Sequence, residues 1–198
     1  AATNSTIISL LAPFSGLVAG ALVIAAQPHI PRNICIEIKN DGTGGNLNLY
    51  EGVTTYAVVG TFRGVAQTES ITVTSTAGNK VVGNNKFRVK YGVKPFDSIT
   101  SITVTNPPTD DLDVSAGLGS KLGLPVASAT NAEADIIKLT KSGANLSKTS
   151  TYSTNQTVNF GAMSDGADAS IEYNVAGGQE VASGFDLSAV TARLLLVG

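Results

Sequence analysis

Apolar and polar side chains alternate at a period of two through most of this sequence, and the alternation restarts after each short cluster of Gly, Asn, Asp, Pro or Ser. A period of two is the geometry of a strand with one buried face. Ile34, Ile36 and Ile38 alternate with Cys35, Glu37 and Lys39. Leu47 and Leu49 alternate with Asn46 and Asn48, and Thr54–Phe62 is dense in β-branched and aromatic residues. Arg63-Gly64 marks a turn before an alternating stretch at Thr68–Thr74, and Ala77-Gly78-Asn79 marks another. Phe87, Val89, Tyr91 and Val93 alternate with Arg88, Lys90 and Gly92. Ser98–Thr105 reads as a strand stopped by Asn106-Pro107-Pro108, because proline has no N–H for a ladder. Leu112 and Val114 restart one toward Gly117. Ala134–Thr140, Gln156–Phe160, Ser170–Val175 and Leu194–Val197 continue the pattern less regularly. Only Ala132–Leu139 and Leu187–Leu196 have the composition for a short helix. Strands this closely spaced, with no long amphipathic helix between them, predict an all-β chain: an antiparallel β-sandwich or barrel-like fold.

The exception is the uncharged run Ile7–Ala26, which precedes an extended remainder. About twenty apolar residues can cross a bilayer as a helix. Here Pro13, Gly16, Gly20, Ser9 and Ser15 interrupt the run, and no Lys or Arg flanks it until Arg32. Ala1–Thr6 also lacks the basic region of a signal peptide. The expected arrangement is a short strand or arm at Ile7–Leu11, a turn at Pro13–Gly16 and a second buried segment at Leu17–Ala26. The chain therefore divides into an extended apolar N-terminal arm (1–26), a β-sandwich core (27–125) and a C-terminal β region (126–198) packed on the same core.

Composition narrows the function classes. Charged residues are 14 % of the chain, where about 25 % is usual. Thirteen basic and fifteen acidic residues give a net charge of −2, which argues against nucleic-acid binding and against a polybasic membrane surface. One cysteine, Cys35, and one histidine, His29, leave neither an intrachain disulfide nor a two-His metal site in a single chain. Gly117-Leu118-Gly119-Ser120-Lys121-Leu122-Gly123 is glycine-rich, but the Ser-Lys order and Pro125 do not suit a phosphate-binding loop, and a tight loop is expected instead. Asp110, Asp111 and Asp113 lack the Gly and distal Glu of a calcium loop and read as a solvated turn, as do Asp165 and Asp168. His29 lies between Pro28 and Pro31 in a rigid turn. Cys35 faces away from the isoleucine stripe, toward solvent or a second layer. The sequence therefore predicts no catalytic residues, no metal and no cofactor.

Several phrases in order resemble a group of tailed-bacteriophage virion proteins. They are Pro31-Arg32-Asn33, Gly60-Thr61, Gln67-Thr68-Glu69-Ser70-Ile71, Lys86-Phe87, Ile99-Thr100-Ser101-Ile102-Thr103-Val104 and Gly119-Ser120-Lys121-Leu122-Gly123-Leu124-Pro125. The resemblance covers Gln27–Pro125 and is loose beyond it. It implies a non-enzymatic virion structural protein made in the host cytoplasm, a capsid decoration or cement protein that binds the major capsid protein or other virion subunits. Family analogy favours a trimeric oligomer. The alternatives are a tail, baseplate or fibre subunit, or a secreted β-rich adhesin or pilus subunit. In such a protein the apolar stretch with Ile7, Ile8, Leu10, Leu11 and Phe14 is expected to act as a partner-docking arm.

Overall fold

A computed structural model of the chain describes residues 7–14, 21–28, 30–40, 51–82, 85–106, 112–124, 136–147, 152–153, 157–160, 169–174 and 191–196. Among these residues there is no helix, and every strand pairing is antiparallel. The protein is all-β, as its alternation requires. It divides into two compact units, residues 4–119 and residues 120–198 with 1–3.

The first unit is a two-sheet sandwich. One sheet runs in the order β1 (Ile7–Phe14), β8 (Leu112–Gly123), β2 (Arg32–Asn40), β6 (Asn85–Phe96), β5 (Gly78–Val82). The other runs β4 (Val65–Val73), β3 (Thr54–Phe62), β7 (Ser98–Val104). Alternate residues of both sheets face one core. Ile34, Ile36 and Ile38 of β2 and Val114, Ala116 and Leu118 of β8 meet Tyr56 and Val58 of β3, Ile71 and Val73 of β4, and Ile99, Ile102 and Val104 of β7. The three isoleucines are fully buried, each worth about 1.5–3 kcal/mol relative to exposure. A one-residue slip of β2 would turn that stripe outward, so the core itself sets the register.

Two polar joints lock the two sheets together, and a third ties neighbouring strands within the larger sheet. The first is a corner. β6 ends at Phe96 and β7 begins at Ser98, so the chain changes sheets across Asp97. Thr61 Oγ1 and the Arg63 N–H donate to the two Asp97 carboxylate oxygens, each at 2.5 Å, and the Asp97 N–H donates to the Thr61 carbonyl at 2.9 Å. The same carboxylate thereby pins the β3–β4 hairpin, whose Arg63-Gly64 tip takes positive φ angles of 54° and 73°. The second joint is a seam between β4 and β6. Glu69 accepts from the Val93 N–H at 2.6 Å and the Lys94 N–H at 3.2 Å, Lys94 Nζ donates to the Thr68 carbonyl at 2.8 Å, and Gln67 Nε2 donates to the Pro95 carbonyl. Side chains there bind backbone groups across the gap and draw the sandwich toward a barrel along that side. The third joint is the fully buried Asn33, which donates Nδ2 to the Gly92 carbonyl at 2.7 Å beside Gly119. Next to it, Arg32 Nε donates to the Gly119 carbonyl at 2.7 Å.

The second unit holds a four-stranded sheet in the order β10 (Ala144–Asn145), β9 (Ile136–Lys141), β13 (Ala169–Asn174), β14 (Thr191–Leu196). Its tight β9–β10 turn places Ser142 and Gly143 at φ 48° and 78°. Leu139, Ile171 and Tyr173 are buried. Within the same unit β12 (Thr157–Asn159) pairs with residues 121–123 of β8 and with β11 (Tyr152–Ser153).

Several local expectations are corrected. Residues 117–123 are part of strand β8 and not a tight loop, because Leu118 and Leu122 are buried side chains of an extended segment and the absent Cβ of Gly119 admits Asn33. Pro13 lies inside β1 and does not open a turn. Gly78-Asn79 begins β5, the turn falling one step earlier with the Ala77 N–H donating to the Thr74 carbonyl at 2.9 Å. The two stretches with helical composition contribute β9 and β14. Asp113 is a residue of β8, paired with Pro13, and not part of a solvated turn. The Leu47/Leu49 stretch and Asp110, Asp111, Asp165 and Asp168 lie outside the described residues.

Candidate functional site: the N-terminal segment and the sheet edges

The uncharged run reaches both sheets of the first unit. Ile7, Ile8, Leu10, Leu11 and Phe14 all fall in β1, which pairs with residues 112–117 of β8. The pairing carries two register shifts, between Ile7 and Ser9 and between Ser9 and Ala12. Further along, residues 21–28 follow the edge of β7. Ala21 forms a bridge with Thr103, and the Leu22 N–H donates to the Ile102 carbonyl at 2.8 Å. Leu22 is buried in the core, whereas Val23 is 77 % exposed. The expected buried segment at Leu17–Ala26 is therefore, over 21–26, a half-buried edge cover. Any transmembrane helix across Ile7–Ala26 gives way to β1, and among the described residues no helix is long and apolar enough to cross a membrane.

Gln27 completes the cover in a way the sequence did not suggest. Its side-chain amide accepts from the Ile99 N–H at 2.7 Å and donates to the Ile99 carbonyl at 2.9 Å. One carboxamide thus takes the place of a neighbouring strand's peptide group. Asn106 does the same beyond the end of β7, accepting from the Thr55 N–H and donating to the Val53 carbonyl. The available signal for Gln27 was its place as the first amide-bearing side chain after the uncharged run. Replacing it with Leu leaves two backbone groups of the buried Ile99 without partners, at about 0.5–1.5 kcal/mol per lost bond. Gln27→Leu is expected to lower stability by about 2 kcal/mol in urea titration and to speed amide exchange at Ile99.

The candidate chemical groups are placed as follows. Cys35 is fully buried on the face away from the isoleucine stripe, opposite Tyr91 in the β2–β6 register. Tyr91 is 43 % exposed. Its phenol is pushed above the usual tyrosine range, first by burial and then by Cys35 and Glu37. Burial lowers the Arg32 guanidinium from its ordinary value, and Cys35 opposes that. Arg88, although on β6, is buried and held by Glu51 at 2.6 Å and Asn79 at 2.5 Å. Among the described residues no group of three or more His, Cys, Asp or Glu is placed to hold a metal ion. His29 lies outside the described residues. The polar side chains that are brought together, Asp97 with Thr61, Glu69 with the Val93 and Lys94 amides, and Asn33 with Gly92, each bind strand to strand. The chain matches no known protein family, no characterised protein and no solved structure.

Proposed function

We propose that this chain is a structural subunit of a bacteriophage virion, a capsid decoration or cement protein that engages the capsid through its N-terminal strand. The observation that carries the reading is β1: eight uncharged residues attached along one sheet edge by backbone pairing. Backbone pairing is the means by which an extended segment joins a sheet, its own or a neighbour's. The order of phrases from Pro31 to Pro125 supports the same assignment. In the first unit Gly60-Thr61 abuts the Asp97 corner, Gln67 and Glu69 make the β4–β6 seam, and Asn33 meets Gly119. Four of the six phrases thus supply residues to these polar joints, and a body pinned in this way suits permanent packing among other subunits.

Deletion of residues 1–15 tests the proposal. The described core is drawn from residues 22–118, so the truncated chain is expected to keep a cooperative unfolding transition. Its occupancy on purified particles should fall at least tenfold. Full occupancy by the truncated chain would refute docking through β1.

A further inference from the structure

We infer that Arg32, with Tyr91 and Val93 of the neighbouring strand β6, is a docking site for a carboxylate side chain on an apolar segment of a partner protein. The inference rests on the virion reading, to which it adds a contact separate from β1. Arg32 is half-buried, and its Nε donates to the Gly119 carbonyl at 2.7 Å. Among the described residues its terminal Nη groups have no hydrogen-bond partner, and no carboxylate pairs with it. Two carboxylates of the same region are already engaged. Phe96 is the register partner of Arg32, and the next residue, Asp97, is held by Thr61 and Arg63. Glu69 is held by the Val93 and Lys94 amides. Burial lowers the guanidinium from its ordinary value, and only Cys35 opposes that. A cation drawn out of water without an anion costs free energy, which a partner's carboxylate would recover.

The surroundings select the occupant. The β2–β6 ladder shifts register between Asn33 and Cys35, and the stretch of β6 opposite that shift carries Val93. Tyr91, the register partner of Cys35, comes two residues before it. Alternate residues of a strand share a face, and these two are 43 % and 45 % exposed. Cys35 acts electrostatically on both Arg32 and Tyr91, which groups the cation and the phenol around one point of the sheet. A guanidinium presents its N–H groups as a planar fork, the geometry that receives both oxygens of a carboxylate. The two exposed side chains beside it suit apolar flanks on the ligand. A phosphate-bearing polymer is engaged by several cations together, whereas the neighbouring Lys94 Nζ is committed to the Thr68 carbonyl. The site therefore fits an acidic residue within an otherwise apolar protein segment.

A blocked Leu-Asp-Leu peptide is titrated into the full chain while the Arg32 Nε–H and the Tyr91 and Val93 amides are followed by NMR. Blocked Leu-Asn-Leu and inorganic phosphate serve as references. Saturable shifts centred on these three residues are expected with the aspartyl peptide, which should bind about tenfold or more tighter than either reference. Arg32→Gln keeps a donor for the Gly119 carbonyl and removes the charge, and it should lose that preference. The inference is overturned if the response does not saturate, if the preference is smaller, or if Arg32→Gln retains it. Shifts centred elsewhere overturn it on the parent chain alone, should the variant not fold. Occupancy on purified particles is measured in parallel and should fall for Arg32→Gln; equal occupancy of variant and parent would also overturn the inference. Particles that never carry the parent chain, with the peptide result intact, would sink the virion reading and leave the carboxylate site standing.

Discussion

Gly60→Ala is expected to be among the most damaging single changes in the chain. A Cβ at Gly60 would run into the Ser98 carbonyl oxygen and lie 3.0 Å from the Phe96 ring. The obstacle is backbone at the corner where β6 becomes β7, and Asp97 holds that backbone through Thr61 and Arg63. Phe96 cannot swing aside, since it is fully buried in the core. Overpacking usually costs about 1–3 kcal/mol when side chains can yield. Here the clash is with a fixed peptide, so about 3–4 kcal/mol is expected, a fall in Tm on the order of 10 °C. Gly78→Ala is the matched control. Its Cβ would sit 3.5 Å from the Val89 carbonyl, an ordinary contact, and stability should change by less than about 0.5 kcal/mol. Calorimetry of the two variants decides the matter; similar melting for both would mean the corner is not rigid.

Gly119→Ala should come second. The added Cβ would collide with the Asn33 carboxamide, at 2.5 Å from Nδ2 and closer still to Oδ1. Asn33 has no free space to enter, being fully buried with Nδ2 committed to the Gly92 carbonyl. Either the hydrogen bond breaks in a buried place or β8 moves away from β2, and about 3 kcal/mol is expected. The pair is also testable as a cycle. Asn33→Ala alone removes a buried donor and should cost about 1–3 kcal/mol. Once the carboxamide is gone, the methyl of Gly119→Ala has room. The double variant should therefore be more stable than the sum of the single costs allows, by at least 1 kcal/mol on the scale of coupled neighbours. Strict additivity would show that Asn33 and Gly119 do not share a site.

The strands were legible because burial on one face writes itself as alternation. Ile34, Ile36 and Ile38 announced β2, and the limits of Thr54–Phe62 coincide with β3. The turn at Arg63-Gly64 followed from the tolerance of glycine for positive φ. What alternation does not encode is which polar residue crosses to another strand. Gln27, Asp97 and Glu69 have unremarkable neighbours in sequence, and their roles depend on groups 72, 36 and 24 residues away. Residues 117–123 of β8 escape the alternation for a related reason. Its glycines look like a loop in isolation, but at Gly119 the missing Cβ makes room for a side chain from β2. Cys35 was readable as facing away from the core and not as buried, since nothing local tells whether the second face of a sheet is covered.

Electron microscopy of purified phage particles tests the proposed role most directly. The sandwich is expected at fixed lattice positions on the capsid surface, with residues 7–14 running as a strand in contact with a neighbouring subunit. Particles devoid of the chain, or a chain bound to the capsid with residues 7–14 touching no neighbour, would contradict a role in assembly through the N-terminal strand.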